Sequence, residues 1–154
     1  MRGIEFCELT LDVGLGTFQP IREEEIERHQ IHKENYEITE EAAERIHSAK
    51  ASGRPVLAVG TTVVRALEDS ANRAAAAGNN HLLASGRAEA RIYIYPGHKF
   101  RIVDQLLTNF HLPHSSLLVM VSAFAGRERI LNAYNHAVQA GYRFFSYGDC
   151  MLIR

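Results

Sequence analysis

The sequence predicts an α/β domain with a mixed, partly parallel sheet and helices on both faces. Two observations carry that expectation. Pro55-Val56-Leu57-Ala58-Val59 is a continuous apolar run suited to a strand buried on both sides, and Gly60-Thr61-Thr62 passes it directly into a helical pattern through Val64, Leu67, Ala71 and Ala74. A helical pattern also precedes the strand, so helix, strand, glycine turn and helix follow one another as in a parallel-sheet unit. With 154 residues, 46% hydrophobic and 23% charged, the chain has the size and balance of one globular domain.

The elements follow in order. Leu9-Thr10-Leu11-Asp12-Val13 alternates apolar and polar residues, the period of a half-buried strand with Asp12 on its polar face, and Gly14 and Gly16 end it. Residues 21–36 are charged, with Ile26 and Ile31 too sparse for an apolar stripe, and read as an irregular or partly helical connection; Glu23-Glu24-Glu25 reads as a solvated face. From Thr39, an N-cap candidate, Ala42, Ala43, Ile46 and Ala49 recur at helical spacing up to Gly53. After the Val56–Val59 strand and its helix, residues 74–87 are small and polar, with Gly78-Asn79-Asn80 and Ser85-Gly86, and read as helix end and exposed, mobile loop. Ile92-Tyr93-Ile94-Tyr95 and Phe100-Arg101-Ile102-Val103 flank Pro96-Gly97, which predicts two strands joined by a turn. Helices are expected over about 115–124 and 127–140, the second burying Ile130, Leu131, Tyr134 and Val138, before a last strand at Met151-Leu152-Ile153. No repeat or linker divides the chain.

Composition narrows the function. A net charge of −1 leaves any nucleic-acid contact to local clusters such as Lys99 with Arg101 or Arg127 with Arg129. Two distant cysteines, Cys7 and Cys150, with no signal-like or membrane-length apolar run, point to a reduced cytoplasmic compartment and no membrane partner. His29 with His32 and His111 with His114 have helix-compatible spacing, but no Cys or Asp set completes a metal site, and none is expected.

Thr108-Asn109-Phe110-His111-Leu112-Pro113 gathers hydrogen-bonding side chains, a flat apolar wall and a proline that is read as opening a helix, the makings of one wall of a small-molecule site. His111 titrates near neutrality in its ordinary state and can serve as acid, base or hydrogen-bond donor, or be a satisfied, partly buried residue. Gly60-Thr61-Thr62, leaving a buried strand and starting a helix, can hold a carboxylate or a ribose hydroxyl, with Arg65 one turn in as a fixed charge; the plainer reading is a tight turn, a cap and a surface arginine. Asp149 in Ser146-Tyr147-Gly148-Asp149 is either a site carboxylate or a turn residue.

These segments, with Val13-Gly14-Leu15-Gly16-Thr17-Phe18, His32-Lys33-Glu34-Asn35-Tyr36, Tyr95-Pro96-Gly97 and Ser122-Ala123-Phe124-Ala125-Gly126, closely resemble the S-adenosylmethionine:tRNA ribosyltransferase-isomerases of queuosine biosynthesis nearly end to end. The resemblance implies transfer of the ribosyl part of S-adenosylmethionine to 7-aminomethyl-7-deazaguanine at a tRNA wobble position, giving epoxyqueuosine and releasing adenine and methionine. It implies His111 as acid or base, with His32 and Asp149 as further catalytic candidates. It also implies Gly60, Thr61, Thr62 and Arg65 as an anion clamp, Phe110 or Phe124 against a base ring, and Tyr95, Gly97, Asn109 and Gly126 among the S-adenosylmethionine-binding positions. Two departures stand out. Family chains are longer, with an amino-terminal region and an inserted β-barrel. This chain resembles their carboxy-terminal part, so a shortened gene product, a non-catalytic remnant, or a separately encoded amino-terminal half as partner is expected. Asp12 stands where the family usually has His.

Overall fold

The structure, a computed structural model, describes residues 3–14, 20–23, 25–78 and 81–154. The Leu15-Gly16-Thr17-Phe18 part of the first motif, Glu24, and Asn79-Asn80 lie outside these residues.

Six strands form two three-stranded sheets. In the first, β1 (Thr10–Asp12), β2 (Glu34–Ile38) and β4 (Gly86–Ala90) run antiparallel in the order β1-β2-β4. In the second, β3 (Leu57–Val59) pairs parallel with β5 (Gln105–Asn109), which pairs antiparallel with β6 (Cys150–Ile153). The expectation of a mixed, partly parallel sheet therefore holds for the second sheet.

The helices flank this framework. In α1 (Glu40–Ala51) the Thr39 hydroxyl accepts from the Ala42 amide at 3.1 Å, and acidic residues in the first turn with Lys50 in the last suit the helix dipole. In α2 (Thr61–Ala76) the chain turns at Gly60, whose φ of 98° favours glycine, and the Gly60 amide donates to the Leu107 carbonyl at 2.9 Å, tying the turn to β5. In α3 (Ser116–Ala125) the cap is Ser115, its hydroxyl accepting from Leu118 at 3.2 Å. Pro113 lies in a turn before that cap, so it does not open the helix as expected. Gly126, with φ 90°, ends α3 and starts α4 (Arg127–Gln139), which buries Ile130, Tyr134 and Ala137; Val138, expected inside, is exposed.

Three further expectations are corrected. Residues 34–38 form β2, whose inward side chains are Glu34, Tyr36 and Ile38, so a glutamate occupies a position where a strand pattern asks for an apolar residue. Residues 86–90 form β4, which begins inside the stretch expected as loop up to Arg87, and Leu83 just before it is buried in the core. The two strands expected around Pro96-Gly97 are absent. Side chains of α2 take the backbone groups a ladder would use: the Glu68 carboxylate accepts from the amides of Arg101, Ile102 and Val103 at 2.8–3.1 Å, Asp69 accepts from Arg91 at 3.3 Å, and Arg65 donates to the Ile92 carbonyl at 3.3 Å.

Among the described residues, one face of the second sheet keeps exposed apolar side chains. Ala58, Leu106 and Ile153 form a row in the core, but the alternating row carries Val59, 62% exposed, Leu107, and Leu152, 53% exposed, so helices do not cover both faces there as expected.

Candidate functional site

A cavity of about 340 Å³ opens where β3 and β5 end. Because these strands are parallel, both carboxyl ends and the start of α2 meet at one edge, the place where α/β sheets bind ligands. Gly60, Thr61, Thr62, Thr108, Asn109 and His111 supply its polar lining. The first-turn amides of α2, which have no intrahelical partner, bring the positive end of a helix dipole to the same edge.

His111 is buried, and its Nε2 lies 3.1 Å from the Thr108 hydroxyl. Its amide donates to the Tyr134 hydroxyl at 2.9 Å, which fixes the loop leaving β5. Burial pushes the imidazole down to about 4, so the ring is neutral at pH 7. The Asn109 amide group is 3.4 Å from both the Gly148 and Asp149 carbonyls, which fastens the end of β5 to the turn before β6.

That turn supplies Phe145 and Ser146 to the lining. Asp149 holds its shape: the carboxylate accepts from the Arg143 amide at 2.7 Å and meets the Arg143 guanidinium at 3.4 Å. The Arg143 amide, and then its guanidinium, keep the Asp149 carboxyl below the usual carboxylate range. Phe145 has φ 71°, an unusual backbone for an aromatic residue, at the rim of the cavity. Leu11 and Val13 also line the cavity; Asp12, between them on the strand, is exposed and is not among the lining residues.

The other sequence-selected residues lie elsewhere. Arg65 points from α2 toward the first sheet, donating to the Glu34 carboxylate at 2.6 Å and to the carbonyls of His32, Ala90 and Ile92. His32 is exposed. Phe110 packs with Tyr134, Tyr142 and Phe144, at centroid distances of 5.2–5.6 Å, and is buried. Tyr95 packs on Tyr93, Gly97 makes the turn beyond it with φ 104°, and Phe124 meets Phe100 edge to face just before Gly126. Sequence reasoning did not single out Leu11, Val63, Leu117 or Phe145 as site residues; only the alternation of β1 hinted at Leu11. Among the described residues no group of three His, Cys, Asp or Glu could hold a metal ion, both cysteines are free and exposed, and no helix is long and apolar enough to cross a membrane.

A model of the family described as queuosine biosynthesis protein matches residues 1–153. The chain belongs to the queuosine biosynthesis protein family. Its relatives include proteins named S-adenosylmethionine:tRNA ribosyltransferase-isomerase from Burkholderia mallei (strain SAVP1), 57% identical over 152 residues, and from Carboxydothermus hydrogenoformans, 54% identical over 151 residues. These matches cover 99% and 98% of this chain but 42% and 43% of the relatives, so the chain spans about two-fifths of their length. The crystal structure of S-adenosylmethionine tRNA ribosyltransferase from Thermotoga maritima matches with a TM-score of 0.66 and 40% identity, covering 79% of this chain and 40% of that one. Within the queuosine biosynthesis family, then, this chain shares its α/β fold with part of a solved relative.

Proposed function

We propose that this chain forms part of the site at which the ribosyl group of S-adenosylmethionine is transferred to 7-aminomethyl-7-deazaguanine in tRNA and isomerised, giving epoxyqueuosine with release of adenine and methionine. The observation that supports this most directly is the convergence of Gly60-Thr61-Thr62, Asn109 and His111 at one strand-end cavity in a member of this family. Its 340 Å³ lies toward the small end of the range of about 300–1,000 Å³ usual for ligand sites, and a second hollow of about 550 Å³ shares Val59 and Val63 with it.

In this reading the α2 amino terminus and the threonine hydroxyls hold an anionic or hydroxyl group of S-adenosylmethionine. A neutral His111 accepts or donates a hydrogen bond at the reacting group, as acid or base; burial disfavours its imidazolium, so any proton it takes in the reaction is readily passed on. Arg65 acts as a positioning residue that sets α2 against the first sheet, so the carboxylate clamp falls to the helix terminus, and Asp149 positions Phe145 and Ser146. The remaining catalytic groups come from the part of the family's length that this chain does not span, in the same polypeptide or a separately encoded one. A second reading, a non-catalytic binding module, is favoured by the 62% exposure of Val59 at the cavity rim, which leaves that side open to water.

The test is mass-spectrometric detection of adenine and epoxyqueuosine after incubation with S-adenosylmethionine and tRNA bearing the aminomethyl-deazaguanine, beside the Burkholderia relative as control. Product, lost by about a hundredfold in His111→Ala, supports the transferase reading. No product beside an active control supports the binding module, and near-normal turnover in His111→Ala removes the role given to that residue.

A further inference from the structure

We infer that the turn at residues 96–101 and the junction between α3 and α4 form a surface for single-stranded RNA, taking the phosphates and an unstacked base of a loop. The inference rests on the reading above that tRNA is the partner. Lys99 and Arg101 flank Phe100, and the Phe100 ring meets Phe124 edge to face at 4.8 Å between centroids. His98 also packs on Phe100, again edge to face at 4.8 Å. Phe124 is the penultimate residue of α3, and α4 begins at Arg127, so this ring packing sets the turn that carries Lys99 and Arg101 against the end of α3, just ahead of Arg127 and Arg129 in sequence.

All four cationic side chains are exposed, and none has an ion-pair partner among the described residues. The nearby carboxylates offset them only in part, since one of them against four cations is not held elsewhere. Glu68 is buried and held by the amides of residues 101–103, Asp104 pairs with Lys50 at 2.7 Å, and Glu128 is the acidic residue between Arg127 and Arg129. Arg127 and Arg129 sit in the first turn of α4, where the helix dipole is already positive and cations oppose it. Glu128 in the same turn offsets one of the two charges, and a bound polyanion relieves what remains.

Half-buried Phe100 and Phe124 lie among the cations. Aromatic rings interleaved with positive charge suit a single strand, whose bases can leave the stack, better than a duplex, whose bases cannot. A wobble base lies in such a loop. With the whole chain near neutrality, the attraction is local to this patch.

The experiment is fluorescence anisotropy of the full chain with a labelled anticodon stem-loop RNA across a salt series, using Lys99→Gln/Arg101→Gln, Arg127→Gln/Arg129→Gln and, as a control of equal charge, Arg45→Gln/Arg54→Gln. Each patch variant is expected to weaken binding by about tenfold and to flatten the slope of log affinity against log salt by about 1.4, roughly 0.7 for each single-strand phosphate no longer neutralised. The control keeps both, and all three keep the parent melting temperature because the side chains are exposed or partly exposed. Patch variants that behave like the control, or a full chain that does not bind the RNA, overturn the inference. If the patch variants bind weakly and the parent chain makes no epoxyqueuosine, the surface stands and the transferase reading falls. If product forms and its KM for RNA is the same in parent and patch variants, the transferase reading stands and the surface falls.

Discussion

The Arg65 guanidinium donates to the Glu34 carboxylate at 2.6 Å, and the two side chains are only 3% and 2% exposed. This pair, together with the carbonyls of His32 before β2, Ala90 at the end of β4 and Ile92 beyond it, locks α2 to the first sheet, while the Gly60 amide ties the start of α2 to the second. Desolvation pulls the Arg65 pKa down, opposed by the charges of Glu34 and Asp69. Removing one partner of such a pair leaves the other buried and uncompensated. Arg65→Ala is therefore expected to cost about 3–5 kcal/mol in urea unfolding, and the double variant Arg65→Met/Glu34→Met much less than the sum of the singles. Additive costs would show that the two side chains are not coupled.

His111 gives the fold a pH dependence of defined sign. Its folded value, about 4, lies below the 6.5 of an exposed imidazole, so the unfolded chain binds the extra proton first. The stability from keeping this ring neutral is fully present above about pH 6.5 and is lost as pH falls toward 4, by about 3 kcal/mol over that window. Urea unfolding from pH 4 to 8 measures it. His111→Gln should flatten this part of the profile; an unchanged profile would place the titration on another group.

Glu68 is fully buried and accepts three backbone amides from residues 101–103. Glu68→Ala leaves those donors without an acceptor and is expected to cost about 3 kcal/mol or more, with faster hydrogen exchange confined first to these amides. Glu68→Gln keeps one carbonyl oxygen and should cost less than Glu68→Ala. Equal costs for the two would mean that neither the retained volume nor a single carbonyl oxygen helps, and that the segment is held by the carboxylate with both its oxygens.

The same interactions explain what was legible in the sequence and what was not. The β3-Gly60-α2 unit was readable because an apolar run, a glycine and a 3.6-residue period are local signals, and Thr108, Asn109 and His111 stood out as a local cluster of hydrogen-bonding side chains, which the structure places in the lining of one cavity. Residues 92–103 read as strands because Ile, Tyr, Phe and Val favour that form, but the competing acceptors sit on α2, some thirty residues earlier in sequence. β2 was hidden because its inward Glu34 is balanced by Arg65, a pairing that no window across one segment can contain. Arg65 was assigned to the cavity from its place one turn into α2, yet a long side chain can reach to either sheet from there, and the buried carboxylate drew it to the first.

The open row Val59, Leu107 and Leu152 on the second sheet predicts self-association, because β3 and β6 are both edge strands and carry the most exposed members of that row. Val59→Lys/Leu152→Lys should shift the chain toward monomer in sedimentation without lowering its melting temperature. A parent chain that is already monomeric at high concentration would contradict the prediction.

Tyr134 offers a finer test of how the site is held. Its hydroxyl accepts from the His111 amide at 2.9 Å, while its ring packs against Phe110 at 5.3 Å and Phe144 at 5.7 Å. Burial pushes the phenol up to about 12, opposed by the His111 amide, so it stays protonated through the working pH range. Tyr134→Phe keeps the ring cluster and removes only the acceptor, leaving a buried amide unpaired, which is expected to cost about 1–3 kcal/mol. Tyr134→Leu removes the aromatic packing as well and should cost more. Because the missing acceptor lies at His111 and not in the core at large, the Phe variant should show its largest amide chemical-shift change at His111 and faster exchange there than at Leu106. Uniform, small changes along β5 would mean that the hydroxyl does not set the position of His111.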